Sequence, residues 1–204
     1  MQRKQLRAAW QPVPRTAPFP CGLKIVKAAT FDVNSSHRYH LSRRWDKDQP
    51  LVYWLMLNPS RADHVRDDAT IRRCMRFAWA WGYGGIDVRN LYAYIATDPT
   101  ELLRAADPIG KENDSYLAQL GGFWQTLGGT SDAPPKFYWP ELVVAAWGVD
   151  GNREGRADRV TAALVKKGVP LWCLGLTKSG CPRHPLRLPA TTKLVRYDRL
   201  EGLP

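Results

Sequence analysis

The residues of this chain best suited to chemistry are polar side chains that stop apolar runs. Asn58 closes "LVYWLMLNPS", Leu51 to Ser60, on the triplet Asn58-Pro59-Ser60. The following proline disfavours helical backbone at Asn58, so its carboxamide can be held to position a water or to bond the edge of a base. It can also simply close an Asx-turn. Asn90 ends a second run, "GIDVRNLY", with the choice of reading a base or capping a loop. His184 lies in "CPRHPLRLP", where an imidazole that titrates near neutral pH can donate a proton or steady an anion. A solvent-exposed histidine in a basic loop is the plain alternative. Lys178, Arg183 and Arg187 flank it and suit phosphate. Asp63 or Asp67 could add a general base, whereas capping of the following helix accounts for Asp68 and Thr70. Tyr92 and Tyr94 offer a stacking face, or else pack in the core.

Those stops have to be brought together by the elements before them. "LKIVKAATFDV" and "HRYHLSRRW", joined by Asn34-Ser35-Ser36, predict an antiparallel hairpin ahead of the main fold. "PLVYWLML" is nearly continuous apolar, the pattern of a strand covered on both faces. Asp68 caps a predicted helix "ATIRRCMRFAWAWGYG" with Ile71, Met75 and Ala78 inward, and Gly82, Gly84 and Gly85 stop it. A strand "GIDVRNLYAY", a loop at 95–110 and a helix "KENDSYLAQL" follow. Residues 121–140, rich in Gly and Pro, predict a loop. "ELVVAAWG" is a third strand, "REGRADRVTAALVKKG" an amphipathic helix, and "PLWCLGL" a fourth strand. Alternating strands and helices give βαβ units: an α/β, three-layer fold around a central, mainly parallel four-stranded sheet. Ligands in such sheets bind beyond the carboxyl ends of the strands. Asn58, Asn90, Gly148 and His184 each fall at or just past one, so all four should meet on one rim.

Composition bounds the partners. The 204 residues carry a net charge of +11, distributed unevenly. Lys/Arg and Asp/Glu number ten and three in residues 1–50, fourteen and fourteen in 51–177, and six and two in 178–204. Positive potential thus gathers at both ends, where a polyanion would be drawn. Residues 1–21 read as a flexible basic arm and 22–204 as a single α/β domain. No apolar run nears the roughly 20 residues of a membrane helix, and the amino-terminal segment lacks the apolar centre of a secretory signal. A cytoplasmic location is expected. Cys21, Cys74, Cys173 and Cys181 are scattered without a CxxC pair, so neither a metal site nor a cofactor is expected.

The order of these motifs resembles that of the uracil-DNA glycosylase superfamily. "MLNPS" is similar to the strand of the mismatch-specific branch whose Asn positions the attacking water. "IDVRNLY" is similar to the strand whose Asn reads the base. "VVAAWG" and "RHPLRL" are similar to the later strand and to the loop that supplies a catalytic His and a wedge. The Gln-Asp-Pro-Tyr-His stretch of the main uracil enzymes is absent, and Asn58 would stand in for its aspartate. From residue 28 to 189 the chain more closely resembles the bacterial and phage family called domain of unknown function 1643, in "LNPS-AD", "DD-TIRRC", "WGYGG" and "PRHPL-LP".

The resemblance implies a glycosylase-like N-glycosidic hydrolase acting on a modified or damaged base in nucleic acid, DNA ahead of RNA. Asn58 and His184 would be catalytic. Pro59, Ser60, Asn90, Tyr92, Trp147, Gly148 and Leu186 would hold the base, with Leu186 as the wedge. Lys178, Arg183 and Arg187 would hold phosphates. A non-catalytic binding module, or a hydrolase of free nucleosides or nucleotides, stands beside it.

Overall fold

The computed structural model describes residues 14–120 and 142–197; the loop expected at 121–140 lies outside them. Among the described residues seven strands form one mixed sheet. In chain order these are β1 (Val26–Phe31), β2 (Arg38–Arg44), β3 (Leu51–Met56), β4 (Gly85–Asn90), β5 (Leu142–Ala145), β6 (Leu171–Cys173) and β7 (Val195–Arg196). They lie side by side as β1-β2-β4-β3-β5-β6-β7. The neighbours β4, β3, β5 and β6 run parallel, whereas β1, β2 and β7 extend the sheet antiparallel at its two sides.

The expected hairpin is therefore not a prelude to the fold but part of the sheet. Leu41 pairs with Val88 and Arg44 with Gly85, so β2 docks along β4. Glycine permits that junction: a Cβ on Gly84 would sit 2.3 Å from the Asp46 carbonyl oxygen, and one on Gly85 2.6 Å from that of Arg43. These glycines admit close backbone approach as well as ending a helix. The β1–β2 register slips at Thr30/Phe31.

Helices α1 (Ala69–Ala80), α2 (Pro99–Arg104), α3 (Asn113–Ala118) and α4 (Arg156–Lys166) complete the chain order. The period of two in β3 divides the core. Val52, Trp54 and Met56 pack with Ile71, Cys74, Met75, Phe77 and Ala78 of α1. Tyr53 and Leu55 face the other way, toward Leu102 of α2, Leu117 of α3 and Val160 and Leu164 of α4. Helix α1 ends earlier than its sequence pattern suggests, because Trp81 caps it and Gly82 turns at φ +87°; Trp81 then stacks on Trp54 at 5.8 Å. Helix α2 falls inside the segment expected as loop, started by Asp98, which accepts from Thr100 N–H at 2.9 Å. Within the expected arm, Arg15 and Ala17 bond to α1 and the turn after it. Among the described residues no helix is long and apolar enough to cross a membrane.

Two buried arginines of β2 fix the loop that follows β3. The Arg43 side chain is fully buried. Its Nε donates to Asp67 Oδ1 at 2.5 Å and its Nη2 to the Arg66 carbonyl at 3.1 Å. Lys27 Nζ reaches the same carboxylate at 2.9 Å. Arg38 donates to the Ala62 carbonyl. Asp67, weighed from the sequence as an acid or base, is instead an ion-pair partner. Removing one member of a buried pair leaves the other uncompensated, at a cost of about 3–5 kcal/mol. Asp67→Ala is expected to lower the unfolding free energy by that amount, and Lys27→Met, the more exposed partner, by less than about 1 kcal/mol; chemical denaturation measures both.

At the hairpin turn, His37 Nδ1 lies 3.2 Å from Asp32 Oδ2 and Nε2 2.9 Å from the Asp107 carbonyl. Burial disfavours the charged ring, but the Asp107 carbonyl and the Asp32 carboxylate outweigh it and raise the pKa above 6.5. With a raised folded pKa, the stabilisation is full below 6.5 and is lost as pH climbs through the folded value. The Tm difference between wild type and His37→Gln should therefore narrow as pH rises past 6.5, as thermal melts would record.

Candidate functional site

From β3 the chain passes through α1 to β4 on one side, whereas β5 lies on the other side of β3 and leads on to β6. The connections diverge between β3 and β5, which opens a crevice beyond their carboxyl ends. A cleft of about 550 Å³ occupies that place. It lies within the size range of small-ligand sites, roughly 300–1,000 Å³.

Three segments build the near wall. Asn58 and Ser60 come from the end of β3, Asn90 from the end of β4, and Asp68 and Thr70 from the start of α1. Asn58 Nδ2 donates to the Pro59 and Ala96 carbonyls, each at 2.9 Å. Both amide hydrogens point at carbonyls, which fixes the amide's orientation, and no donor among the described residues reaches its oxygen. Asn58 thus offers the cleft an acceptor.

Asn90 is only 2% exposed, and its Nδ2 has no hydrogen-bond partner among the described residues. Its backbone carbonyl is held by Asn113 Nδ2 at 3.1 Å, so α3 fixes the end of β4. Arg38 also lines the cleft, 3% exposed, with Nε unpartnered among the described residues. A buried polar group left without a bond costs roughly 1–3 kcal/mol. Both residues line the cleft, but the unpartnered atoms themselves carry almost no accessible surface.

The far wall comes from the ends of β5 and β6. Gly148 turns at φ +76° and donates its N–H to the Pro182 carbonyl at 2.9 Å. Arg183 N–H donates to the Gly175 carbonyl at 3.0 Å, and Leu176 pairs with Pro182. The guanidinium of Arg73 on α1 donates to the Leu188 carbonyl. These bonds pin the His-Pro loop against the β5 loop and α1, and a Cβ on Gly148 would meet His184 Cβ at 4.0 Å.

His184, Arg183 and Arg187 line the cleft from this side. His184 Nδ1 accepts a long bond from Leu186 N–H, 3.4 Å, which leaves the proton on Nε2. The residue is exposed at the mouth by surface area, yet the walls around the ring disfavour its charge. That desolvation lowers the pKa below 6.5, against the pull of Asp68. The open mouth tempers the shift, and only its direction, toward neutral imidazole, enters the chemistry. Arg38 is treated the same way more strongly: burial pushes its pKa down to about 10, opposed by Asp68. It remains a cation at neutral pH.

Of the residues singled out from the sequence, Asn58, Ser60, Asn90, Trp147, Gly148, Arg183, His184 and Arg187 share the cleft. Pro59, Tyr92, Leu186, Lys178, Asp63 and Asp67 are not among its lining. Tyr92 packs in the α3/α4 core and donates its hydroxyl to the Arg153 carbonyl at 3.0 Å. Asp63 accepts from the Val65 and Arg66 N–H groups of its own turn. Leu186 is 41% exposed beside the mouth, and Lys178 is exposed in the turn between Leu176 and Pro182. Trp147 lines the cleft but is braced sideways by Tyr197 and by Gly151, where a Cβ would lie 1.9 Å from the indole.

Sequence reasoning missed Arg38 and the second role of Asp68. Asp68 does cap α1, accepting from Ile71 N–H at 2.8 Å, and it also faces the cleft because α1 starts at the rim. Arg38 carried no signal, being one of several basic residues in a hairpin.

Residues 38–186 match the family described as Protein of unknown function (DUF1643). The matched span begins at Arg38 and includes every cleft residue named here except Arg187. Neither curated proteins nor solved structures yield a match. An amide nitrogen buried without a partner adds nothing to folding stability. Asn90→Leu is expected to leave unfolding free energy unchanged or to raise it by up to about 1 kcal/mol, read by denaturant titration.

Proposed function

The chain belongs to that family, and from its cleft we propose that it is an N-glycosidic hydrolase of a modified or damaged base in nucleic acid, with DNA as the preferred partner. One observation carries the reading: Asn58 and Asn90, past the ends of β3 and β4, and His184, in the loop after β6, line a single cleft. The reading takes β4, β3, β5 and β6 as the counterpart of the central sheet of uracil-DNA glycosylases, with β1, β2 and β7 as additions.

A flipped nucleotide enters base first, since chemistry at the glycosidic carbon requires the base to leave the stack. Asn58 Oδ1 accepts a hydrogen bond from a water and aims its lone pair at that carbon. Water oxygen bonds to the carbon as the carbon–nitrogen bond breaks, the bonding pair leaves with the base, and the proton that the water sheds passes through solvent to the base anion. The Asp68 carboxylate offsets positive charge that builds on the sugar. His184, neutral and protonated on Nε2, donates toward the base as a neutral imidazole can toward a developing anion. Arg183 and Arg187 at the mouth, with Lys178 and the exposed Leu186 outside it, engage the flanking strand.

The test is base release from oligonucleotides that each carry one modified or damaged base. Wild type should release at least one of them, and Asn58→Ala and His184→Ala should each slow release about a hundredfold or more, the usual cost of one electrostatic donor or positioning group. Binding without release by wild type would leave a binding module. Affinity should also fall with salt by about 0.9 log unit per log unit for each phosphate held, and replacing both Arg183 and Arg187 with Ala should remove about two such contacts. A flat salt response would point to free nucleosides or nucleotides.

A further inference from the structure

Strand β1 forms one open side of the sheet, and its backbone shows which groups are left over. Just past β1, Asp32 N–H donates inward to the His37 carbonyl; just past β2, Trp45 N–H donates away from β1 to the Gly84 carbonyl. Backbone groups alternate along a strand. Val26, Ala28 and Thr30 therefore spend theirs on Arg44, Ser42 and His40, while Ile25, Lys27, Ala29 and Phe31 turn theirs outward. Among the described residues no strand takes up that outer row. A lysine commonly guards such an edge. Lys27 does not, because its Nζ is drawn back to the Val65 carbonyl at 2.8 Å and to Asp67 at 2.9 Å. Ala28, Ala29 and Thr30, at the middle of the strand, bring neither bulk nor charge.

We propose that this edge pairs with the same edge of a second copy, antiparallel about a two-fold axis beside Ala28, so that two sheets become one. In an antiparallel pair, residues directly opposite share a face of the sheet, so the axis sets one residue against itself. With Ala28 there, the outer row meets its own counterpart: Lys27 bonds to the partner's Ala29, and Ile25 to the partner's Phe31. The same register sets Val26, 67% exposed, against the partner's Thr30, both β-branched. It also sets exposed Lys24 against the partner's Asp32, whose side chain keeps 20% of its surface. Symmetry makes each of these contacts twice. Centred one residue on, at Ala29, Val26 would face the partner's Asp32 and Lys24 would lose it. The charges thus choose the register rather than supply the strength, since exposed ion pairs are weak. One edge pair is a small interface, so the dimer forms with rising concentration. The inference is independent of the glycosidic reading.

Sedimentation equilibrium and thiol cross-linking test it, in a chain carrying Cys21→Ser and Cys181→Ser so that the accessible native thiols are gone. The mass should rise from one chain toward two as concentration increases. On mild oxidation Ala28→Cys should link the copies, because each thiol faces its own counterpart with Cβ atoms about 4.5–5.5 Å apart. Val26→Cys, also at an exposed position, should stay unlinked, its counterpart lying about 13 Å along the strand. Lys24→Glu sets like charges opposite each other and should raise the dissociation constant about tenfold at low salt, less at high salt. Equal linking through positions 26 and 28, a dimer indifferent to Lys24→Glu, or a single-chain mass at every concentration overturns the proposal. So does a chain that dimerises only once residues 1–13 are removed, which would make its own amino-terminal segment the occupant of the edge.

Discussion

The bond on which the rest of this molecule depends is the buried tie between Arg43 and the loop after β3. That loop runs from Asn58 to Asp68 and contains no regular structure, yet both its ends contribute to the cleft. A guanidinium with no exposed surface, bonded to Asp67 and to the Arg66 carbonyl, substitutes for the missing ladder. Because the two charges are desolvated together, neither can be lost cheaply. The loop is thereby held to β2, and β2 to β4, so three separate elements share one register.

That arrangement also sets the electrostatics of the cleft. Asp68 is held in place as the cap of α1, and its charge acts on Arg38 and on His184 in the same direction, favouring their protonated forms. Desolvation opposes it at both. For a guanidinium the outcome remains a cation; for an imidazole, whose ordinary pKa lies near neutrality, the same opposition favours the uncharged ring. One carboxylate between two bases of very different strength therefore yields a fixed positive charge at the floor and a neutral donor at the mouth.

Much of this was legible in the sequence, and the reasons are local. Continuous apolar residues in "LVYWLM" and "LVVA" identified parallel strands buried on both faces, and the spacing of Ile71, Met75 and Ala78 identified the inner face of α1. Asn58 and Asn90 were visible because polar side chains that end apolar strands lie at a sheet rim, and His184 because it stands in a basic His-Pro loop after the last apolar run. What stayed hidden was long-range. Nothing in "HRYHLSRRW" distinguishes Arg38 and Arg43 from the exposed basic residues nearby, and the two acquire their roles only when β2 docks on β4. Tyr92 misled because its aromatic ring suits either a base or a core. Strand β7, two residues long, has no periodicity to read.

The sheet's two margins carry a different implication. A seven-stranded sheet with open sides invites further strands from other molecules. Among the described residues one side ends in β7, too short to template a partner, and the other in β1, six residues whose pairing with β2 runs unbroken from Val26 to Thr30. The β7 side is thus a poor seed for edge-to-edge growth, and the β1 side is the margin along which a further strand could add.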